Sequence, residues 1–242
     1  MFRIGYILNR MNAITNKNIL IIEDEKDIAE LLRVNLSKEG YRVSTAVSGE
    51  AGIELARSQN PDLILLDLML PGADGLEGCR ILKSEEKTVN IPVIMLTAKS
   101  EDIDVVTGLV VGADDYITKP FSPKVLVARV RTVLRRLRPQ TIEGSKIEAS
   151  GISIDTGRHE VTAGKKKIEL TPTEFGILLC LARRPGWVFG RMQIVDEVHG
   201  DETIITDRAI DVQIAGLRKK LGKYGELIDT VRGVGYRFKD SE

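Results

Sequence analysis

Residues 61–75 read PDLILLDLMLPGADG, in which the unbroken apolar run Leu63–Leu66 stands directly before Asp67. An apolar run without alternating polar residues is typical of a strand that is covered on both faces. In a sheet of such strands, functional groups gather at the carboxyl ends. The run therefore predicts a buried parallel strand, and it makes Asp67 the first candidate for a functional residue.

The residues on either side of this strand continue an alternation of strands and helices. The other predicted strands are Asn18–Ile22, Tyr41–Ala46, Ile91–Leu96 and Asp115–Ile117, and the first two predicted helices are Asp27–Glu39 and Ala51–Arg57. Further helices are expected between and after the later strands. Five strands that alternate with five helices predict an α/β doubly wound parallel sheet.

The alternation stops at residues 138–145, which read RPQTIEGS. Proline ends the preceding helix and Gly-Ser keeps the chain loose, so we interpret 138–146 as a linker between domains at 18–137 and 147–242.

Residues 1–17 lack the apolar core of roughly 7–15 residues that a signal peptide needs, and we expect a disordered extension there. No apolar run approaches the ~20 residues of a membrane span, so we expect no membrane partner. Neither Cys79 nor Cys180 has a metal-ligand neighbour at CxxC spacing, and the cytosol is the simplest compartment for such a chain.

The second half predicts a different fold. Residues 147–170 read as short strands with turns at 155–157 and 163–165. Thr171 followed by Pro172 and Glu174 is a capping-box signature, which predicts a helix to about residue 184. Two more helices are predicted at about 191–197 and 207–221, the last ended by Gly222, and then a hairpin over 227–238 that turns at 232–235. This order is typical of an α+β winged helix-turn-helix.

The carboxyl edge of the predicted sheet collects acidic and other polar side chains. They are Glu23, Asp24 and Glu25 after the first strand, Asp67 after the third, Thr97 after the fourth and Lys119 after the fifth. Carboxylates ~4 Å apart repel by about 4 kcal/mol at an effective dielectric near 20, and Mg²⁺ with oxygen ligands removes that cost. The set predicts a Mg²⁺ site in which Asp67 is the nucleophile toward a phosphoryl group that Lys119 and Thr97 contact.

Other kinds of site fit these residues less well. Acidic loops that only solvate a surface would explain each residue singly, but not the set at four strand ends. The Glu23–Glu25 loop would repel a flavin phosphate held there, as in flavodoxins. A haloacid-dehalogenase-type phosphatase needs a second Asp two residues after its nucleophile, where this chain has Met69. No GxxxxGK[ST] phosphate-binding loop is present.

The end of the chain carries a local excess of positive charge. Residues 208–239 hold eight Lys and Arg against three Asp and Glu, within a chain of zero net charge. On the last predicted helix, Ile210, Ile214, Leu217 and Leu221 form the buried stripe. The opposite face presents Arg208, Val212, Ala215, Gly216 and Lys219, flanked by Arg218 and Lys220. Such a helix fits a DNA major groove, and a solvated helix face is the alternative.

Five runs together resemble one known family. IIEDEKDI (21–28), PDLILLDLMLPGADG (61–75), PVIMLTAK (92–99), GADDYITKPF (112–121) and TVRGVGYRF (230–238) look like the PhoB/OmpR family of two-component response regulators. The resemblance implies a receiver domain of the flavodoxin and CheY type, in which a sensor histidine kinase phosphorylates Asp67. By matching positions, Asp24, Asp67 and the Met69 carbonyl would bind Mg²⁺, with Glu23 acting through water. Thr97 and Tyr116 would form the switch pair, and Lys119 would precede a cis Pro120.

The resemblance also implies a homodimer that forms on phosphorylation. Its interface would include Val105, Leu109, Asp114, Asp115, Val125, Arg129 and Arg136. Ion pairs would join Asp115 to Arg129 and Asp114 to Arg136. A third pair, usually charged in the family, is here Val105 and Val125, and we hypothesise an apolar contact that also disfavours pairing with sibling regulators. Packing of both valines within the monomer is the alternative.

The family further implies binding to tandem half-sites on double-stranded DNA and contact with RNA polymerase. The DNA contacts would be Arg208, Val212, Gln213, Arg218, Lys219, Thr230, Arg232 and Tyr236. Ala215 and Gly216 depart from the bulky basic residues that relatives often carry there.

Two rival functions stay open: a small phosphotransfer enzyme with many turnovers, which the absent acid at Met69 disfavours, and a DNA binder that works without phosphorylation. We therefore expect a regulator, not an enzyme, beyond its own phosphoryl transfer and slow dephosphorylation.

Overall fold

The computed structural model describes residues 17–71, 75–97, 112–136, 146–199 and 207–240, with only the backbone of residues 136, 199, 207 and 208. The chain forms two compact units, and the boundary between their main parts falls after Leu134. The expected extension at 1–17 lies outside what is described except for Lys17, which is ordered: it pairs with Asp62 at 2.6 Å, and its carbonyl accepts from the Arg42 N–H. The linker residues 138–145 and the side chains of Val105, Leu109, Arg136 and Arg208 also lie outside what is described.

The first unit alternates strands and helices as the sequence predicts. Its described elements are β1 (Asn18–Ile22), α1 (Lys26–Lys38), β2 (Arg42–Ala46), α2 (Gly49–Gln59), β3 (Leu63–Asp67), α3 (Gly75–Ser84), β4 (Val93–Thr97), β5 (Asp115–Thr118) and α4 (Pro123–Arg136). The helix expected between β4 and β5 falls in residues 98–111, outside the described part. The strands form one sheet in the order β2–β1–β3–β4–β5.

The sheet is the predicted doubly wound parallel one. The β1–β2, β1–β3 and β3–β4 pairings are all parallel. Every residue of β3 and β4 is buried, because helices cover both faces. The strand order reverses between β1 and β3, and at such a point the carboxyl ends of the strands open a crevice in which ligands bind.

The fourth strand begins two residues later than the sequence predicts. We expected Ile91–Leu96, and the structure has Val93–Thr97. Pro92 lies between the two starts and has no N–H to give to a ladder, although its carbonyl accepts from the Ile64 N–H at 2.9 Å. At its other end the strand extends to Thr97, so the sheet fixes the position of Thr97 in the crevice.

The second unit has two small sheets and three helices among its described residues. A four-stranded antiparallel sheet comes first, with β6 (Lys146–Ala149), β7 (Ile152–Asp155), β8 (Glu160–Ala163) and β9 (Lys166–Ile168). The helices are α5 (Pro172–Ala182), α6 (Arg191–His199) and α7 (Asp207–Leu221). A three-stranded sheet in the order β10–β12–β11 contains β10 (Phe189–Gly190), β11 (Ile228–Val231) and β12 (Gly235–Phe238). Lys146, which we placed in the linker, already belongs to β6.

Local signals in the sequence fix the ends of two helices. The Thr171 hydroxyl accepts from the Glu174 N–H at 3.2 Å, and the Glu174 carboxylate accepts from the Thr171 N–H at 2.8 Å, which is the predicted capping box. Gly222, at φ +57°, ends α7 in the left-handed region that favours glycine. A 3₁₀ turn at Gly222–Leu227 then leads into β11.

None of the helices in the described ranges is both long enough and apolar enough to span a bilayer.

Candidate functional site

The carboxyl ends of β1 and β3 bring three acidic side chains together. Carboxylate oxygens of Glu23, Asp24 and Asp67 all lie within 4.8 Å of one another. Glu23 and Asp67 are each only 1% exposed, while Asp24 is partly exposed. The sequence predicted this cluster from residues at the carboxyl ends of strands, and the structure brings them together because β1 and β3 are neighbours in the sheet, with Ile22 paired to Leu66.

Lys119 compensates the charge of this cluster. Its Nζ lies 2.8 Å from Oδ2 of Asp67, 2.8 Å from Oε2 of Glu23 and 3.9 Å from Oε1 of Glu25. The Lys119 N–H donates to the Thr97 carbonyl at 2.6 Å, which ties the residue to the end of β4. The Lys119–Pro120 peptide bond is cis, as the resemblance implies.

At Glu23 and Lys119, burial and the hydrogen bonds between the charged groups shift the pKa in opposite directions. Burial raises the pKa of Glu23 to about 7; the hydrogen bond from Lys119 opposes this rise, and the Asp67 charge adds to it. Burial alone would lower the pKa of Lys119, but the hydrogen bonds to Asp67 and Glu23 outweigh burial and raise it. Lys119 is therefore a cation at neutral pH, as a partner for a phosphoryl oxygen must be.

The second oxygen of Asp67 is held by the main chain. Oδ1 accepts from the Met69 N–H at 3.2 Å, while the Met69 side chain is 65% exposed. A Cβ on Gly75 would lie 2.4 Å from the Asp67 carbonyl oxygen, so only glycine allows α3 to start this close to the nucleophile. We did not single out Gly75 from the sequence, although the PGADG run that ends in it was the available signal.

The donor set fits the expected Mg²⁺. Glu23, Asp24 and Asp67 offer hard carboxylate oxygens that converge at one edge of the sheet, and Lys119 contributes one positive charge beside Glu23 and Asp67. Hard oxygen ligands with room for water are what Mg²⁺ prefers. Three converging carboxylates are also a set that repels itself unless a cation is near.

The described residues expected to form the switch pair and the dimer interface differ in their solvent exposure. Thr97 and Tyr116 are both buried, and so are Asp114 and Asp115. Arg129 is partly exposed, and Val125 on α4 is 45% exposed. The alternative in which Val125 packs inside the monomer is therefore wrong for this residue.

The predicted DNA-binding face of α7 is largely as expected, with one correction. The stripe Ile210, Ile214, Leu217 and Leu221 is buried. Ala215 and Lys219 are exposed, and Val212 is partly exposed. Gln213, expected to contact DNA, is only 5% exposed because its position adjoins the buried stripe. We therefore leave Gln213 out of the DNA-binding surface.

A second correction concerns Tyr236 in β12. Its side chain is 4% exposed, and its hydroxyl donates to Oδ1 of Asp211 at 2.7 Å. The strand is held tightly at this point, since a Cβ on Gly235 would lie 1.9 Å from the Phe189 carbonyl oxygen. A buried hydroxyl that is already bonded is not a free DNA contact, contrary to our expectation from the resemblance.

The remaining basic residues divide into anchored and exposed ones. Arg218 donates from Nε and Nη2 to the Ile228 carbonyl at 3.1 and 2.8 Å, and from Nη2 to Oγ1 of Thr230 at 2.7 Å. Lys220 Nζ is paired with Glu174 at 2.6 Å. Thr230 and Lys219 are exposed or partly exposed, and Arg232 lies at the hairpin turn. Arg218 thus joins α7 to the hairpin.

Gly216 has a packing role that the sequence did not reveal. A Cβ at this position would lie 3.3 Å from Oε1 of Glu174, the capping-box carboxylate of α5. A bulkier residue here would press on that carboxylate, which also binds the Thr171 N–H and Lys220.

Comparison with known proteins agrees with this geometry. A family model described as the response regulator receiver domain matches residues 19–131, and one described as transcriptional regulatory protein, C terminal, matches 164–238. Phosphate regulon transcriptional regulatory protein PhoB of Escherichia coli (strain K12) is 44% identical over 224 residues, which is 92% of this chain and 97% of that protein.

The chain belongs to the PhoB/OmpR family of response regulators.

Other known proteins are also similar to this chain. Response regulator ArlR of Staphylococcus haemolyticus is 45% identical over 221 residues, or 90% of this chain and 98% of that protein. A solved structure described as a RitR mutant has a TM-score of 0.72 at 28% identity and covers 93% of this chain and 100% of its own. The protein is thus a DNA-binding two-component response regulator, a class whose receiver works with a histidine kinase.

Proposed function

We propose that Asp67 accepts a phosphoryl group from a sensor histidine kinase in a Mg²⁺-dependent reaction, and that this controls DNA binding. The observation that carries the proposal is the position of Asp67, buried at the end of the central strand with Lys119 Nζ 2.8 Å from its Oδ2. A buried carboxylate held next to a lysine and a metal-type cluster is poised for phosphoryl chemistry.

The chain's own groups account for the transfer step. A carboxylate oxygen of Asp67 attacks phosphorus, the bond from phosphorus to the donor's leaving atom breaks, and that atom takes the bonding electrons. Lys119 contacts an oxygen of the new acyl phosphate, and Thr97 donates to another. Asp24, Asp67 and the Met69 carbonyl would hold Mg²⁺, with Glu23 acting through water, and the ion would supply positive charge that offsets the phosphate charge. Met69 provides no general acid, so the acyl phosphate is held and lost slowly.

The phosphate is read out through Thr97 and Tyr116. Thr97 moves toward the added charge, and Tyr116 occupies the space that Thr97 vacates, which biases a two-state element. The active state forms a homodimer through Asp114, Asp115, Val125, Arg129 and Arg136, with Val105 and Leu109. Paired DNA-binding domains, at 147–242, then occupy tandem half-sites in the cytoplasm and act on RNA polymerase.

The DNA surface consists of exposed residues of α7 and the hairpin. Lys219 and Arg208 contact phosphates, Val212 meets a thymine methyl, and Arg232 enters the adjacent minor groove. Thr230 and Arg218 support the hairpin side of this surface. Ala215 and Gly216 leave the helix short of base-reading side chains, so DNA shape contributes more to recognition.

The test compares intact mass and oligomeric state with Mg²⁺ and acetyl phosphate, for the wild type and for Asp67→Asn. The wild type gains one phosphoryl group and becomes dimeric, and Asp67→Asn does neither. Asp62→Asn is the matched control, since Asp62 is also paired to a lysine, Lys17 at 2.6 Å, but at the opposite end of β3. A wild type that stays monomeric and unmodified, or an Asp67→Asn variant that is still modified, would refute the proposal.

A further inference from the structure

Met69 stands two residues after the proposed phosphoacceptor and presents its side chain to solvent. It is 65% exposed, the largest exposed fraction among the large apolar side chains of the described residues. Its main chain is tied to the site, because its N–H donates to Oδ1 of Asp67 at 3.2 Å. The nucleophile and the thioether are therefore held in the same short turn, so a chemical change in the thioether alters the surroundings of the nucleophile.

The other methionines differ from Met69 in exposure or in position. Met95 lies in β4 and is 1% exposed. Met192 lies on α6 in the second unit and is 53% exposed. Met1 and Met11 fall outside the described residues. The chain thus carries a buried methionine in the same sheet and an exposed one far along the chain, and both serve as internal references for Met69.

An exposed thioether is the kind of methionine that peroxides oxidise. Hydrogen peroxide transfers one oxygen atom to the sulfur: a lone pair of the sulfur forms the S–O bond, the O–O bond breaks, and the other oxygen leaves as water. The sulfur is oxidised by two electrons and the peroxide is reduced. The product is a polar sulfoxide, which methionine sulfoxide reductases return to the thioether.

The two cysteines compete poorly for peroxide. Cys79 is buried, and burial raises the pKa of the Cys180 thiol to about 12. Because the thiolate is the reactive form, both thiols stay reduced while an exposed thioether is oxidised. Of the sulfur atoms in the described ranges, that of Met69 combines exposure with a place beside Asp67.

Oxidation would place a new dipole at the mouth of the crevice. The sulfoxide oxygen carries partial negative charge, and the group that arrives at Asp67 is an anionic phosphoryl group. Lys119 Nζ, 2.8 Å from Oδ2 of Asp67, attracts this group, and an added acceptor oxygen two residues from the nucleophile opposes that attraction. Such an interaction is stronger in a sheltered crevice than in bulk water.

We propose that Met69 is a site of reversible oxidation by peroxides, and that its sulfoxide slows phosphoryl transfer to Asp67. The inference rests on the proposed function of Asp67 and adds an oxidant as a second input to the same site. The Met69 side chain forms no bond in the transfer itself; it sets the polarity at the entrance to the crevice.

The test treats the full chain with hydrogen peroxide, removes the oxidant with catalase, and locates the added oxygen by peptide mass. Met69 and Met192 should each gain one oxygen, while Met95 stays unmodified. Phosphorylation by acetyl phosphate at saturating Mg²⁺, followed by intact mass, should then be slower by about fivefold, the change that one polar interaction of ordinary strength produces. Incubation with methionine sulfoxide reductases should restore the untreated rate.

Leucine variants assign the effect to one methionine, because leucine fills a similar volume and cannot be oxidised. Peroxide should leave the rate of Met69→Leu as it was before treatment, and it should slow Met192→Leu as much as the wild type. Met69→Gln places an amide oxygen at the same position, so it should be slower than Met69→Leu without any oxidant. Equal rates of these two variants, or slowing by peroxide that persists in Met69→Leu, would overturn the inference.

Failure of this inference and failure of the proposed function give different results. An untreated wild type that takes no phosphoryl group refutes the proposed function, and the control by Met69 falls with it. Normal phosphorylation with an oxidised Met69 and an unchanged rate overturns the inference alone. So does a Met69 that stays reduced while Met192 is oxidised.

Discussion

Lys119 Nζ lies 2.8 Å from Oδ2 of Asp67 and 2.8 Å from Oε2 of Glu23, so one cation serves two buried carboxylates at the ends of two neighbouring strands. The three groups come from β1, β3 and the segment after β5, and they meet only because the sheet is parallel. The arrangement connects the chemistry at Asp67 with the segment that carries Tyr116 and the proposed dimer residues.

Lys119→Gln should slow phosphorylation by acetyl phosphate at saturating Mg²⁺ by about tenfold or more. A hydrogen bond to a charged group contributes about 1.5–3 kcal/mol, and this one would be lost as charge builds on the phosphoryl oxygens. The time course of the phosphorylated fraction, followed by intact mass, measures the effect. Lys17→Gln, which breaks the Lys17–Asp62 pair, should leave the rate unchanged, and an equal effect of the two variants would contradict the role of Lys119.

Addition of Mg²⁺ should raise the melting temperature of the wild type, and EDTA should reverse the rise. A ligand that binds only the folded state at a hundred times its Kd adds about 2.7 kcal/mol to the free energy of unfolding. Asp24→Asn and Asp67→Asn remove carboxylates of the cluster and should abolish most of the rise. Asp62→Asn should keep it; a full Mg²⁺ effect in all three variants would place the ion elsewhere.

Val125→Glu should weaken the phosphorylation-dependent homodimer. Val125 is 45% exposed on α4, and a carboxylate there would be desolvated against an apolar partner. Sedimentation of the beryllofluoride-activated protein measures the dimer Kd. Val105→Lys combined with Val125→Glu should restore dimerisation and permit heterodimers with regulators that carry the charged pair. Unchanged homodimer and heterodimer affinities in the double variant would rule the apolar contact out.

Cys180 should resist alkylation by iodoacetamide in the native protein at pH 8. Burial, with a contribution from Glu197, raises the pKa of this thiol to about 12, so the reactive thiolate is about one part in ten thousand at that pH. Because the folded pKa is raised, the effect of Cys180 on stability is full below the ordinary thiol pKa and is lost as pH rises toward 12. Labelling followed by peptide mass measures it, and unfolding in urea should restore reaction. Rapid native labelling of Cys180 would contradict the shift.

The sequence by itself determined the elements of the fold and the crevice. Apolar runs such as Leu63–Leu66 favour buried strands, and the capping box at Thr171 and Glu174 and the stop at Gly222 depend on neighbours within a few residues of the chain. The carboxyl ends of parallel strands meet at one edge, so Asp24, Asp67 and Lys119 could be brought together from their order alone.

Only the tertiary structure decided which of the residues expected to contact DNA are exposed to solvent and which hydrogen bonds fix their side chains. Gln213 and Tyr236 match family positions in the sequence, yet both are buried, because solvent exposure depends on the packing of α7 against residues far away in the chain. The Arg191–Asp211 and Arg218–Thr230 bonds join residues 20 and 12 positions apart. Residue type and local spacing do not predict such contacts, because they form only when α6, α7 and the β11–β12 hairpin pack around the Tyr236 ring.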